Sequence, residues 1–220
     1  MSSVLQRTKE ALRAVSLIEA AGRCSLTPIP VKRLHAFAYF ADMLSPIWNL
    51  TPFDRVALKS DRAPFFARFQ DQVDFLVLQG ILEVEGFSYR REAAGTPLIL
   101  NASYSIRYGD ENARQLTAFV LEDDDLRLNL DYLTSLAAAL SRLEGDAIEA
   151  AVFGDASWED PTVPWGDVVE IRKPIGIQAD TATRAAVSLF DELKNEHIRL
   201  NPRSRLRLYA AYLVNRIEAA

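Results

Sequence analysis

The sequence predicts a mainly α-helical protein with one small β-hairpin. Three observations carry that expectation. Apolar residues recur with a period near 3.6 over several segments of the 220-residue chain. The period switches to two at Ile81-Leu82-Glu83-Val84-Glu85, the alternation of a half-buried strand. Hydrophobic residues make up 49% and charged residues 25%, with nine Gly and ten Pro, so the chain can bury a core and holds no low-complexity stretch.

The first helix is marked by Val4, Leu5, Thr8, Ala11, Leu12, Val15 and Ile18, with Gly22 where a C-terminal cap would stop it. Arg7, Lys9, Glu10, Arg13 and Glu19 are mixed into this segment, which makes it an amphipathic helix and not a signal peptide. No apolar run is long enough to span a membrane, so a cytoplasmic protein without a membrane partner is expected. Thr27-Pro28-Ile29-Pro30 breaks the chain, and Val31 to Leu44 then reads as a second, largely apolar and buried helix. After Ser45-Pro46, Trp48 is expected to pack under the first loop, its alternative reading being a partner anchor. Asp61 and Pro64 are expected to cap and open a third helix that runs to Gln79, with Phe66, Phe69, Val73, Leu76 and Val77 inward and Gly80 as its stop.

The strand after Gly80 finds a hairpin partner in Ala102 to Tyr108, across a polar wing from Tyr89 to Thr96. Helix, helix, helix, strand, wing, strand is the order of a winged helix, expected over residues 1–109. Residues 110–220 read as a helical domain: Glu111 to Leu121, Leu130 to Leu143, Ala147 to Phe153, Thr181 to His197 and Arg203 to Ala219. Between them lie an irregular acidic loop, residues 154–166, and a short strand at Val168 to Ile171.

Charge is unevenly distributed. Residues 1–109 hold thirteen basic and ten acidic side chains, residues 110–170 three and fifteen, and residues 171–220 nine and five. The overall charge of -5 hides a strongly acidic middle between two weakly basic ends. A stand-alone DNA binder needs a dense basic face, because phosphate neutralisation supplies most of its affinity. None exists in residues 1–109. The acidic run Glu122, Asp123, Asp124, Asp125 repels nucleic acid and attracts a basic partner; its alternative reading is a solvated loop between helices.

Catalytic chemistry has little foothold. His35 lies in a nearly all-apolar helix and reads as a hydrogen-bonded core residue, and His197 reads as a cation near a helix end. With Cys24 as the only cysteine, no intrachain disulfide and no thiolate cage can form. The sequence lacks a phosphate-binding loop, a dinucleotide fingerprint, a nucleophile elbow and paired metal-ligand spacing. No catalytic residue, metal or cofactor is therefore expected. Acid-base catalysis would require carboxylates from residues 110–170 to converge in a pocket.

Interaction residues are easier to nominate. The outward face of the third helix offers Arg68, Gln70, Gln72 and Gln79 to base edges or phosphates, but also Asp71 and Asp74, which favour a protein-facing role. Arg90 and Arg91 in the wing are candidate phosphate contacts. At the C-terminus, Lys194, Arg199, Arg203, Arg205 and Arg207 form the densest basic run, read either as a solvated face or as a contact for DNA or an acidic partner. Trp158 and Trp165 are candidate partner anchors, as are Asp123, Asp124 and Asp125; the two tryptophans read equally as a lid on the core.

The segments Leu34-His35-Ala36-Phe37-Ala38-Tyr39-Phe40-Ala41-Asp42-Met43-Leu44 and Phe69-Gln70-Asp71-Gln72-Val73-Asp74-Phe75-Leu76-Val77-Leu78-Gln79-Gly80-Ile81-Leu82-Glu83-Val84 resemble the small middle component of three-component ABC-ATPase antiphage systems of the Lamassu type. The likeness covers about residues 1–110 and rests on a hydrophobic pattern ending in a helix–Gly–Ile–Leu strand entry. It implies a non-catalytic accessory subunit joining a coiled-coil, SMC-like ATPase to an effector, often a nuclease, with DNA reached through the complex. Winged-helix subunits of other SMC complexes look similar in layout. The competing expectation is a winged-helix transcriptional regulator, favoured by Arg68, Arg90 and Arg91 and opposed by Asp71, Asp74 and the net charge.

Overall fold

A computed structural model describes residues 2–53, 56–59, 64–90, 99–143, 147–153, 163–170 and 200–218. Among these residues the chain forms seven α-helices: α1 (Ser2–Arg23), α2 (Val31–Met43), α3 (Ala67–Leu78), α4 (Glu111–Glu122), α5 (Asp124–Leu140), α6 (Ala147–Phe153) and α7 (Pro202–Glu218). Six short strands, β1 (Ile29–Pro30), β2 (Val56–Lys59), β3 (Pro64–Phe65), β4 (Leu82–Arg90), β5 (Ile99–Ile106) and β6 (Val168–Glu170), build two antiparallel three-stranded sheets. The protein is thus mainly helical with small antiparallel sheets, and the single expected hairpin is one part of the strand content. No described helix is long and apolar enough to cross a membrane.

The chain divides into two compact units, residues 1–34 with 67–134 and residues 35–66 with 135–220. In the first unit the strand order is β1-β5-β4, so β5 is central. Tyr104 of β5 stands opposite Ile29 of β1 and Val84 of β4, and is buried. Helix α1 packs on α3, β5 and α4. It is buried far more completely than an amphipathic surface helix: Glu10, Arg13 and Glu19 lie inside along with Val15, Leu17 and Ile18. Buried charges need partners. The Glu19 carboxylate accepts from Arg23 Nε at 2.8 Å and from the Tyr108 hydroxyl, and the Arg13 guanidinium lies over the Phe69 ring, 5.4 Å from its centre.

Gly22 does not stop α1. The helix closes one step later in a Schellman turn, with Ser25 left-handed at φ 58° and Leu26 N–H donating to the Ala21 carbonyl at 2.9 Å. Gly80 ends α3 in the expected way: its φ is +73°, and Ile81 N–H donates to the Leu76 carbonyl at 3.0 Å. Strand β4 runs beyond the expected end and takes in Tyr89 and Arg90, which the sequence placed in the wing. A register irregularity between Glu85 and Ser88, with Gly86 at φ +62°, allows that extension. The connection at residues 91–98 lies outside the described residues.

The acidic run is a helix start and not a loop. Asp123 Oδ1 accepts from the backbone N–H groups of Asp125 at 3.0 Å and Leu126 at 2.9 Å, and α5 begins at Asp124, well ahead of the expected Leu130. Carboxylates in a first helical turn satisfy free N–H groups and suit the positive end of the helix dipole. Asp110 caps α4 similarly, accepting from Asn112 N–H at 2.8 Å and Ala113 N–H at 3.3 Å.

In the second unit the sheet order is β3-β2-β6. Pro64 does not open a helix; it sits in edge strand β3 opposite Lys59, a position that tolerates a residue without an N–H. Phe66 N–H donates to His35 Nδ1 at 3.1 Å, and the imidazole stacks on Phe65 with centroids 4.7 Å apart, so His35 is the hydrogen-bonded core residue the sequence predicts. Since Nδ1 accepts, the neutral ring carries its proton on Nε2. Helix α7 packs on α6 and on the 3₁₀ turn Ser45–Trp48, with Tyr209 edge-on to Phe40 of α2 at 6.2 Å. The expected helix at residues 181–197, with His197, lies outside the described residues.

Replacing Asp110 by Ala is expected to lower the unfolding free energy by ~1 kcal/mol, the usual worth of an N-cap. Asp71→Ala, on the exposed face of α3, should stay within about 0.5 kcal/mol of the parent. Urea denaturation of the two variants checks both; an unchanged midpoint for Asp110→Ala denies the cap its role.

Candidate interaction surface

Helix α3 holds most of the candidates in the first unit. Its buried side is Phe69, Gln70, Val73 and Leu76. Gln70 is therefore not on the outward face. The Gln70 amide Nε2 donates to the Tyr104 hydroxyl at 3.0 Å and to Asp74 Oδ1 at 2.7 Å, and the residue is 6% exposed. The sequence put Gln70 outside because a glutamine in a helix is usually solvated; the buried hydroxyl facing it reverses that preference.

The solvent face of α3 carries Arg68, Asp71, Asp74, Phe75, Leu78 and, just past the helix end, Gln79. Phe75 is 50% and Leu78 83% exposed. These two apolar side chains were missed by sequence reasoning, although the spacing carried the signal. Once Phe69, Val73 and Leu76 define the inward stripe, Phe75 and Leu78 fall on the opposite side of a 3.6-residue turn.

Arg90 is exposed on β4, three residues beyond Phe87 and next to Tyr89. Phe87 and Tyr89 meet edge to face at 5.4 Å and are both well exposed. On α4 the residues Ala113, Thr117 and Val120 are buried, and Phe119 on the other side is 51% exposed. A shallow groove of about 470 Å³ runs along it, lined by Gln79, Ile81, Asn112, Gln115, Leu116 and Phe119. Asp123, Asp124 and Asp125 are exposed at the start of α5, where Arg127 Nη2 donates to Asp124 Oδ1 at 2.6 Å.

In the second unit Arg203 and Arg207 are exposed on α7, and Arg205 is half-buried and engaged in contacts of its own. Trp165 is 58% exposed, with the Lys59 ammonium 5.0 Å from its ring centre. Lys59 Nζ also donates to the Val163 carbonyl at 2.8 Å. Arg91, Trp158, Lys194 and Arg199 lie outside the described residues.

Among the described residues no group of three or more His, Cys, Asp or Glu side chains could hold a metal ion. The Cys24 thiol is half-buried, donates to the Thr134 carbonyl at 3.6 Å, and is pushed above the ordinary thiol range by burial. That shift disfavours the thiolate a nucleophile needs. No protein-family model matches the chain, and no curated protein or solved structure matches it either.

Two tyrosines give the site a pH signature. Burial pushes Tyr104 up to about 12, helped by the Asp74 carboxylate and Tyr89 and opposed by the Gln70 hydrogen bond. Burial and the bond to Glu19 push Tyr108 up as well. The folded state keeps the Tyr104 proton that an unfolded chain loses near pH 10. That contribution is complete below about pH 10 and is lost as the pH rises toward 12. Ultraviolet titration should show a phenolate component near pH 12 that is missing in Tyr104→Phe; a native protein whose tyrosines all titrate near pH 10 contradicts the assignment.

Proposed function

We propose that this protein is a non-catalytic accessory subunit with a winged-helix-like half, joining an SMC-like coiled-coil ATPase to an effector in an antiphage complex of the Lamassu type. The fold component is supported by α1, β1, α2, α3, β4, β5 in chain order and by a sheet in which β1 and β4 flank β5. An added segment, with the 3₁₀ turn and strands β2 and β3, separates α2 from α3. In this reading α3 occupies the position of a recognition helix and the β4–β5 hairpin that of the wing.

One observation carries the choice of a protein partner over DNA. The solvent face of α3 places Phe75 and Leu78 beside Asp71 and Asp74. Next to phosphates, two carboxylates add repulsion and two large apolar groups gain nothing. Against a protein surface the same apolar groups are buried, and the carboxylates form a polar rim. Arg68 and Arg90 favour the second reading, a DNA-binding regulator, because both are exposed and neither forms an ion pair among the described residues. Under the subunit reading, DNA is reached only through the complex, and Arg68, Arg90, Arg203 and Arg207 are the candidate contacts for it among the described residues.

Affinity purification of the tagged full chain from its native host is expected to recover a coiled-coil ATPase at stoichiometric yield, and Phe75→Asp with Leu78→Asp to abolish that recovery. The isolated chain should bind duplex DNA only weakly. A lone protein that binds a duplex below micromolar with a steep salt slope makes the regulator the correct reading.

A further inference from the structure

We propose that the C-terminal end of α3 and the outer side of α4 form a docking surface for a basic amphipathic helix supplied by a protein partner. The inference deepens the subunit reading and rests on it only in requiring that such a partner exists.

The groove is open and mixed in character. Ile81, Leu116 and Phe119 line it together with the amides of Gln79, Asn112 and Gln115. Leu78, at the end of α3, is almost fully solvated, and Phe119 is half so. Large apolar groups this exposed mark interaction sites when they cluster. A helix docks on such a groove by inserting apolar anchors at positions i, i+3, i+4 and i+7. The side-chain amides can bond to polar groups flanking those anchors.

Charge along α4 and the start of α5 sets the sign of the partner, Arg107 beside Gly80 being itself paired with Glu83 at 3.5 Å. From Asp110 to Asp131 the chain has seven acidic and two basic residues. Both bases are already paired, Arg114 with Glu111 and Arg127 with Asp124. Glu122 lies one turn beyond Phe119 on the outer side of α4, and Asp125 lies in the next turn of chain; both are exposed, and neither forms an ion pair among the described residues. A surface of this sign repels phosphates and anionic lipid and attracts Lys and Arg. An apolar strip with a cationic flank is the complementary helix. A second copy of this chain also offers such chemistry, since Arg203, Arg207, Leu208 and Tyr212 are exposed on α7. The experiment must separate that occupant from a foreign one.

Three fluorescent helical peptides of about four turns are titrated against the full-length chain: one with a Leu stripe flanked by Lys, one with Glu in place of Lys, and one with Gln in place of Leu. The Leu/Lys peptide is expected to bind saturably, and each of the others at least ~10-fold more weakly. Phe119→Asp, a change at a half-exposed position, should weaken the Leu/Lys peptide at least ~10-fold. Glu122→Lys with Asp125→Lys should reverse the preference between the Lys and Glu peptides, which keeps the test decisive should Phe119→Asp fail to fold. Equal binding of the Lys and Glu peptides, no saturable binding, or binding indifferent to folded variants overturns the proposal. Sedimentation velocity supplies the last arm: self-association of the parent that is lost in both Phe119→Asp and Arg203→Glu/Arg207→Glu names a second copy as occupant and also overturns it. Failure in any of these arms leaves recovery of a coiled-coil ATPase by the parent chain intact, so the two readings fall separately.

Discussion

The hydrogen bond from Gln70 to the Tyr104 hydroxyl sets the rotation of α3, and through it the surface of the first unit. An apolar stripe alone leaves a helix free to roll by tens of degrees with little loss of buried area, because hydrophobic burial has no direction. A buried amide and a buried phenol have no such freedom, since either one left without a partner costs about 1–3 kcal/mol. Tyr104 is itself fixed by its place in the central strand, opposite Ile29 and Val84. The sheet therefore positions the hydroxyl, the hydroxyl positions Gln70, and Gln70 holds Phe69, Val73 and Leu76 inward.

The outward set follows by exclusion. With α3 so oriented, Arg68, Asp71, Phe75 and Leu78 face solvent. The left-handed Gly80 then turns the chain within a single residue, which fixes where β4 starts and leaves Leu78 on the last exposed turn. The second unit uses a comparable device. His35 accepts from the Phe66 N–H just before α3 begins, and so ties α2 to the chain leaving β3.

Periodicity made the helices legible, because their inward stripes are mostly Leu, Val, Phe, Ile and Ala even where Gln70 in α3 or Glu10, Arg13 and Glu19 in α1 interrupt them. Helix α6 follows the expected bounds, and α2 stops one residue short of its expected end. What could not be read were features decided by partners distant in sequence. Strands β2 and β3 are short and, among the described residues, pair with each other and β6, so no alternation announces them. Pro64 reads locally as a helix opener, and only the pairing with Lys59 makes it an edge-strand residue. Gln70 reads as solvated until Tyr104, 34 residues on, is placed against it. The acidic run reads as a loop because four consecutive acids look solvated, although acids at a helix start are favourable. The candidate surface was legible in part: charges such as Arg68 and Asp71 show directly in the sequence, whereas the exposure of Phe75 and Leu78 follows only from extending the inward stripe of Phe69, Val73 and Leu76 around the helix.

Stability accounts for the charges of the first unit better than for its apolar exposure. Asp123 is used in capping α5, Asp124 pairs with Arg127, and Asp110 caps α4. Each of those acids has a local reason to be where it is. Nothing comparable explains Leu78 or Phe119, whose side chains gain little by facing water and for which a polar residue would serve the helix equally well. A local rule broken without a compensating gain inside the molecule points to a gain outside it. Phe119 lines the groove and Glu122 follows one turn later on the same helix, unpaired among the described residues, and that pairing of an apolar group with a free carboxylate is what the docking proposal draws on.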